Sequence, residues 1–594
     1  MRRLISSFNP WKSEHYSHIS RAHTLTSVKE PRGFCFLFTP LTKPRSHVSY
    51  SGLTALNMTL TEAPTGERSD PTDSQFTDNA ATNFPSGAKL WLILIAVTLA
   101  SFIMLLDMTI VATAIPRITN DFSSLPDIGW YGSAYTLASA ALQPLTGHFY
   151  SNLSTKWTFL SFITVLEAGS LVCGFARSST VFIIGRAVAG LGTSGIMNGA
   201  LTIIAASVPL SQRPTVTGVI IGLAYVGSVA GPLIGGVFTY YATWRWCFWI
   251  NLPIGVVASG FLLFTSIPEH SPKRIGLFNL VSRLDLLGFS LLVPALIMIL
   301  LALQYGGNEH PWDSAAVIGL LVGGLVTVCL FVLWERRRGE RAMIPLQLVS
   351  KRVVWSSNLV AGFMTSTLLV HSYYLPIYFQ AVKDATPVQS GVYLLPSVLS
   401  QLLSSALSGI LIKKIGYCLP AVILSGIMVA IGGGLLSLLN PTTPTAKWVG
   451  YQILLGFGRG LGIQMPIITV QAVLEPHLVP IGMSLIVFSQ TFGGSVFLTV
   501  ANVLFTSELR VALSEFAPQV SADLIINTGA TAFRSIIPVE DIPEVLQAYS
   551  KAVSVAFYLS AALAVVYLMF SWGMGWLDVR NLRPYHEKNN IHET

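Results

Sequence analysis

The sequence predicts an all-α integral membrane protein with fourteen spanning helices, and three observations lead there. Apolar residues make up 52% of the 594 residues and charged residues only 11%, against about 25% charged in an ordinary soluble domain. Beyond Lys89, one apolar run follows another with short polar breaks between them, each long enough to span a bilayer, which takes about 20 residues. Lys and Arg gather on alternate breaks, the bias that sets membrane orientation. A water-soluble globule, a disordered chain and a nucleic-acid binder are excluded by the same composition.

The first 87 residues are polar and carry no helical or strand period. Met1 to Asn57 is basic and Ser-rich, with eight Lys/Arg against Glu14 and Glu30, whereas Met58 to Gly87 is acidic. Three readings stand: a cytosolic tail, a mitochondrial transit peptide, or translation that begins at Met58. No apolar stretch with a cleavage site is present, so no signal peptide is predicted.

The spans start near Leu90, Trp130, Trp157, Thr180, Thr215, Cys247, Leu284, Ser314, Val354, Val388, Leu419, Trp448, Ile481 and Ala552. They end near Ile115, Phe149, Ala176, Ser207, Val237, Ile267, Gln304, Trp334, Gln380, Ile412, Leu439, Val470, Thr506 and Gly573. Lipid leaves backbone groups no outside partner, so such runs are helices; barrel strands would alternate over about 10 residues. With the N-terminus inside, inner breaks hold Lys156, Arg213, Lys273, Arg274, Arg283, Arg336, Arg337, Arg338, Arg341, Lys351, Arg352, Lys413 and Lys414. The short outer breaks hold Arg117, Arg177, Arg245, Lys383 and Lys447. The C-terminus is then inside as well. The net charge of +8 is therefore a topological anchor rather than a surface for an acidic partner. The most basic internal loop, Glu335 to Arg352, reads as such an anchor or as a site for anionic headgroups.

Five scattered cysteines (Cys35, Cys173, Cys247, Cys329, Cys418) with no C-x-x-C and no clustered His predict neither a disulfide framework nor a zinc site. A charge at membrane depth costs about 2.5–3.5 kcal/mol on insertion scales and marks function by default. The spans contain few: Asp107, Glu167, Arg186, His371 and Arg459. Asp107 lies about 27 Å along its helix from Lys89, in the outer half, and Arg186 is also in the outer half of span 4. Two such groups at similar depth form either a structural ion pair or a proton-dependent switch. Glu167 reads equally as a helix–helix hydrogen-bonder or a relay. Span 5 carries Gly218, Gly222, Gly227, Gly231 and Gly235, mostly four apart, which predicts one smooth face for a close neighbour. Pro232 is expected to bend this helix.

Gly227-x-x-x-Gly231-Pro232-x-x-Gly235-Gly236 resembles the antiporter motif of the major facilitator superfamily. Leu106-Asp107-Met-Thr-Ile-Val-Ala-Thr-Ala-Ile-Pro116 resembles the L-D-x-T-I-V-x-x-A-x-P signature of its fourteen-span drug:proton antiporters. Gly185-Arg186 with Gly190 and Gly192 is similar to the span 4 motif, although its usual Gln is Ala189 here. Trp244-Arg-Trp-Cys-Phe-Trp-Ile-Asn251-Leu-Pro253 is similar to the loop into span 6, and Gly456 to Pro466 and Phe488 to Gly494 to spans 12 and 13. The resemblance runs from Leu90 to Trp576 and is closest to fungal toxin and multidrug efflux carriers. One segment departs: the span 2–3 loop, usually G-x-L-x-D-R-x-G-R-K/R, has Ser151 in place of the acidic gate and keeps only Gly147 and Lys156.

The resemblance implies two six-helix bundles with two inserted helices. The corresponding division is a cytosolic tail at 1–87, a bundle at 88–268, the insertion at 269–353, a second bundle at 354–576 with an outer loop at 507–551, and a tail at 577–594. It implies alternating access, with inward protons driving an organic, largely apolar compound outward. Asp107 and Arg186 would couple the proton. Tyr135, Tyr225, Phe363, His371, Tyr374, Gln464, Gln490 and Phe492 would line the substrate cavity. No cofactor, metal or nucleic acid is implied, and the working unit is a monomer in the plasma membrane, with the vacuolar membrane as the alternative. A siderophore or basic amino acid carrier of a related fourteen-span group and a non-transporting sensor are the rival readings. H-E-x-x-H, G-x-S-x-G and P-loop patterns are absent from the sequence, which speaks against a membrane enzyme.

Overall fold

Each predicted run is helical in the computed structural model, which describes residues 84–122, 128–210, 212–268, 285–306, 310–339, 342–528 and 532–579. The basic and acidic segments up to residue 83, Cys35, the alternative start at Met58, Lys273, Arg274, Arg283, Arg341 and the C-terminal residues from 580 lie outside these. In chain order the long helices are α1 (Ala88–Phe122), α2 (Ile128–Asn152), α3 (Thr155–Phe175), α4 (Ser179–Ser207), α5 (Arg213–Tyr241), α6 (Trp246–Leu263) and α7 (Leu286–Tyr305). They continue with α8 (Ala315–Arg338), α9 (Arg352–Ile377), α10 (Pro387–Ile415), α11 (Leu419–Leu436), α12 (Thr445–Val473), α13 (Val479–Phe516) and α14 (Ile542–Ser571). Among the described residues thirteen helices are long and apolar enough to cross a membrane. The other long helix, α2, has 25 residues diluted by Ser, Thr, Gln and His.

The helix ends follow local chemistry. Ser178 and Ser314 accept hydrogen bonds from the Val181 and Val317 amides, and Thr386 with Gln389 forms a capping box, each satisfying N–H groups that a helix start leaves free. Arg336–Arg338 and Lys413–Lys414 occupy the last turns of α8 and α10, where the helix dipole favours cations. Both helices then stop at glycines with positive φ, Gly339 (62°) and Gly416 (86°).

Three expectations on boundaries are corrected. Span 13 does not end near Thr506: α13 continues to Phe516, because Glu508, Arg510 and Glu515 oppose a helix only inside lipid and no proline occurs between Thr506 and Pro518. The segment beyond it is largely helical too, with short helices at Ala522–Thr528, Ala532–Ser535 and Val539–Asp541, and α14 begins ten residues ahead of Ala552. Span 12 is two helices, Thr445–Gly462 and Met465–Val473, broken at Ile463–Gln464 beside Pro466.

Packing sorts the helices into two groups and a pair. In the first group α1 packs on α5, α6 and α4, α3 on α4, and α2 on α4; in the second α9 packs on α13 and α14, α10 on α12, and α11 on α12 and α14; α7 packs on α8. The groups meet along α5–α10 and α2–α13. Polar bonds across this seam include Gln143 Nε2 to Thr491 Oγ1 (2.9 Å), Ser151 Oγ to His477 O (3.3 Å), Ser405 Oγ to Gly218 O (3.1 Å) and Gln471 Nε2 to Leu201 O (3.4 Å). All fall in the halves of the helices nearer the Lys/Arg-rich loops, so the basic end is the closed end.

Candidate functional site

The centre of the first group is an ion pair. Arg186 Nη1 lies 2.7 Å from Asp107 Oδ2, and the side chains are 1% and 0% exposed. Each is carried on a predominantly apolar helix, so burial follows from the helix register rather than from local polarity. Asn251 Nδ2, at the head of the longer segment of α6, donates to Asp107 Oδ1 (2.8 Å) and contacts Ser170 Oγ of α3 (3.0 Å). Arg186 Nε donates to Tyr131 O at 3.0 Å. The Tyr135 ring lies 4.3 Å from the guanidinium carbon, a cation–π contact, and its hydroxyl donates to Met104 O at 3.1 Å. Five helices thus hold one carboxylate and one guanidinium, each hydrogen-bonded, as buried charges must be.

Asn251 had no role assigned from sequence. Its signal was present: a primary amide entering an otherwise apolar span, inside the Trp244–Pro253 motif. The rest of that motif is structural. Trp244 Nε1 donates to Asp121 Oδ2 (2.8 Å), and Arg245 stacks on Trp244 and donates to Ala176 O.

The expectation of one glycine face on α5 is corrected. A Cβ on Gly218 would meet Gln464 Oε1 at 2.5 Å and Ser405 O at 2.7 Å, and one on Gly222 would strike Leu402, so these two face the second group. A Cβ on Gly227 would meet Phe102 O at 2.5 Å, and Gly231 and Gly235 would press on Thr109, Ile110 and Thr113, so these three face α1. The five-residue step from Gly222 to Gly227 turns the helix by about 140° and moves the stripe to another face. Gly236 meets nothing within 4 Å. The helix runs on through Pro232.

The cavity candidates are spread over several surroundings. Tyr135 belongs to the ion pair. Tyr225 of α5 is half-buried and packs on the core of the second group. Phe363 stacks on Phe570 (5.9 Å) and contacts Phe497, and Tyr374 leans on Phe505 (5.3 Å). Gln464, at the break in α12, is buried and donates to Ser405 O (2.9 Å) and Ser408 Oγ (2.6 Å). Gln490 is half-buried on α13. Phe492 stacks on Phe488 (5.7 Å) and packs against the cluster of Leu145, Leu292 and Leu296, on the side of α7.

His371 forms a second polar group with a residue not assigned to the site, Arg459. His371 Nδ1 lies 2.7 Å from Thr367 O and 3.0 Å from Ser560 Oγ, with its ring stacked on Phe557. Arg459 is buried, donates from Nη2 to Thr367 O at 3.3 Å, and has no carboxylate partner among the described residues. The divergent span 2–3 loop is held by hydrogen bonds to backbone carbonyls: His148 Nε2 is 2.7 Å from Met343 O, Ser151 donates to His477 O, and Lys156 Nζ donates to Leu263 O and Thr265 O at 2.8 Å.

Two groups of membrane-spanning helices, the first built around a buried charge pair, define a multi-pass membrane protein. A family model described as the Major Facilitator Superfamily matches residues 97–282 and 267–498. The chain belongs to the major facilitator superfamily, and it is a transporter rather than an enzyme. It is 53% identical over 525 residues to the MFS-type transporter pigP of Monascus ruber, spanning 88% of this chain and 90% of that one. It is 49% identical to the efflux pump mlcE of Penicillium citrinum, over 83% of this chain and 91% of that one. The fold is similar to that of the proton:xylose symporter XylE bound to 6-bromo-6-deoxy-D-glucose, with a TM-score of 0.54 at 12% identity, over 83% of this chain and 98% of that one.

Proposed function

We propose that the protein is a proton-coupled efflux carrier that exports a small, largely apolar organic compound (a toxin, secondary metabolite or drug) by alternating access at the plasma membrane, working as a monomer. The observation that carries this reading is the buried Asp107–Arg186 pair with Asn251 on its second carboxylate oxygen. Efflux pump names among the fungal relatives support the direction of transport. Protonation of Asp107 would neutralise the carboxylate and release Arg186 from α1, while deprotonation would restore the 2.7 Å contact. A proton gradient can thus bias how α1 and α4 pack. The seam at the basic end is closed by neutral hydrogen bonds, each worth about 1 kcal/mol net, so opening it breaks no ion pair among the described residues. Spans 9–14 would rock against spans 1–6 around a cavity between them, with α7 and α8 as the insertion.

The test uses proteoliposomes holding the full chain, an imposed pH gradient, and two probes: rhodamine 6G and a fungal culture extract read by mass spectrometry. Gradient-driven movement of at least one compound is expected. Asp107→Asn is expected to fold but to lose that movement; full gradient-driven transport in this variant would refute the assignment of Asp107.

A further inference from the structure

Glu167 of α3 stands beside this network without taking part in it. Both of its carboxylate oxygens are shielded from solvent, and neither has a hydrogen-bond partner among the described residues. It presses on α6 where Gly255 lacks a side chain: a Cβ there would lie 2.6 Å from Glu167 Cδ. An ionised carboxylate so placed would be an unpaired charge in an apolar medium, which costs several kcal/mol. The group therefore holds its proton in this arrangement.

Its position connects it to Asp107. Ser170 follows three residues later on α3, so the two side chains lie on one face. Ser170 Oγ contacts Asn251 Nδ2 at 3.0 Å, and the same amide donates to Asp107 Oδ1 at 2.8 Å. Of the helices packed on α3, α4 supplies Arg186, committed to Asp107; α6 supplies Cys247; and α2 supplies Tyr131, which donates to Ser179 Oγ, Tyr135, which donates to Met104 O, His148, near Met343 O, and Tyr150, which donates to Gly195 O. None of these is paired with Glu167. Along α3 Glu167 lies about 4.5 Å nearer the basic end than Ser170.

We propose that Glu167 is a second proton-binding site of the carrier, one that takes the proton from Asp107 and passes it toward the basic end. In the transfer the Asp107 carboxylic acid loses a proton and becomes the carboxylate paired with Arg186, while the Glu167 carboxylate gains that proton and becomes neutral. Release to the inner solution restores the Glu167 carboxylate. The structure corresponds to the state after transfer, with Asp107 paired and Glu167 protonated. This deepens the proton-coupled reading and rests on it.

The test is independent of the transported compound. N,N′-dicyclohexylcarbodiimide adds to protonated carboxylic acids in apolar surroundings. The purified full-length chain is treated at pH 6 to 8.5, and adducts are located by peptide mass spectrometry. Glu167 is expected to be modified at neutral pH and Asp107 not. In Asp107→Asn, which removes an anion and frees Arg186, modification of Glu167 at pH 8 is expected to fall severalfold. This response tests the coupling of the two carboxyls, and the next variant separates a relay from a structural glutamate. Glu167→Gln is expected to keep the fold and lower the number of protons moved per probe molecule in proteoliposomes. An unmodified Glu167 at neutral pH, or modification that ignores Asp107→Asn, would overturn the inference while leaving wild-type gradient-driven transport standing. Modification in a chain that moves no probe under any pH gradient would instead remove the carrier reading.

Discussion

Arg186→Gln, Asp107→Asn and the double variant form a cycle that measures how strongly the charge pair holds α1 to α4. At 2.7 Å the attraction between unit charges is about 6 kcal/mol at an effective dielectric of 20. Desolvation of both groups offsets much of this, and the informative quantity is what happens when one charge is left alone. Breaking a buried pair from one side costs about 3–5 kcal/mol, whereas replacing both partners is often close to neutral. The low end applies here, because the amides keep part of the bonding. Asn251 Oδ1 has no partner, so its amide can turn and accept from the amide introduced at position 107. Each single variant is therefore expected to lose about 3 kcal/mol, and the double no more than either single, a coupling of about 3 kcal/mol. The assay is thermal unfolding of the four detergent-purified proteins, followed by the fraction that stays monodisperse. A double variant that loses the sum of the two singles would refute the reasoning, since the charges would then act independently.

Gly231→Ala places a Cβ against Thr109 Oγ1 and 2.9 Å from the Ile110 amide nitrogen, and is expected to cost about 1–3 kcal/mol as α5 is pushed from α1. Gly236→Ala meets nothing within 4 Å and is expected to be neutral or to gain up to about 1 kcal/mol from helix propensity; equal losses at both positions in the unfolding assay would contradict the split of the glycine stripe. Arg459→Gln removes a cation held by one 3.3 Å bond, and is expected to shift stability by less than about 1 kcal/mol. A loss in the unfolding assay as large as that of Arg186→Gln would reveal a counter-charge for Arg459.

The helical course was legible because lipid allows little else: long apolar runs interrupted by basic loops admit one reading. Asp107 and Arg186 were legible as rare charges at matched depth. Other features depend on geometry that sequence spacing states only approximately. The glycine stripe was read as one face because four-residue steps dominate, yet the single five-residue step carries the last three glycines round to α1. Asn251 was quoted within a motif, but its contact with Asp107 joins residues 144 apart. The helical continuation to Phe516 was obscured because charged residues that end a membrane span do not end a helix in water. Residues proposed to face a cavity, such as Tyr135 and Phe492, sit against Arg186 and the α7 side respectively, since an aromatic ring on a span satisfies packing and binding patterns equally well.

The two halves carry the same design with one substitution of charge. Asp107 and His371 are each the twentieth residue of α1 and α9, helices eight apart in chain order. Arg186 and Arg459 stand on the fourth helix of each half, and Asn251 and Ser560 on the sixth. Asn251 donates to Asp107 and Ser560 lies 3.0 Å from His371 Nδ1, so the third member meets the first in both. The first half pairs its arginine with an acid; the second keeps the arginine and replaces the acid with an imidazole that supplies no negative charge. A proton binding in the first half neutralises an anion next to a cation, whereas a proton binding His371 would add a second cation near Arg459. The first reaction can run at membrane depth and the second is opposed there. On the proposed reading, proton handling falls to the first half, where Glu167 lies one turn from Ser170, and Arg459 stands on the opposite side of the seam.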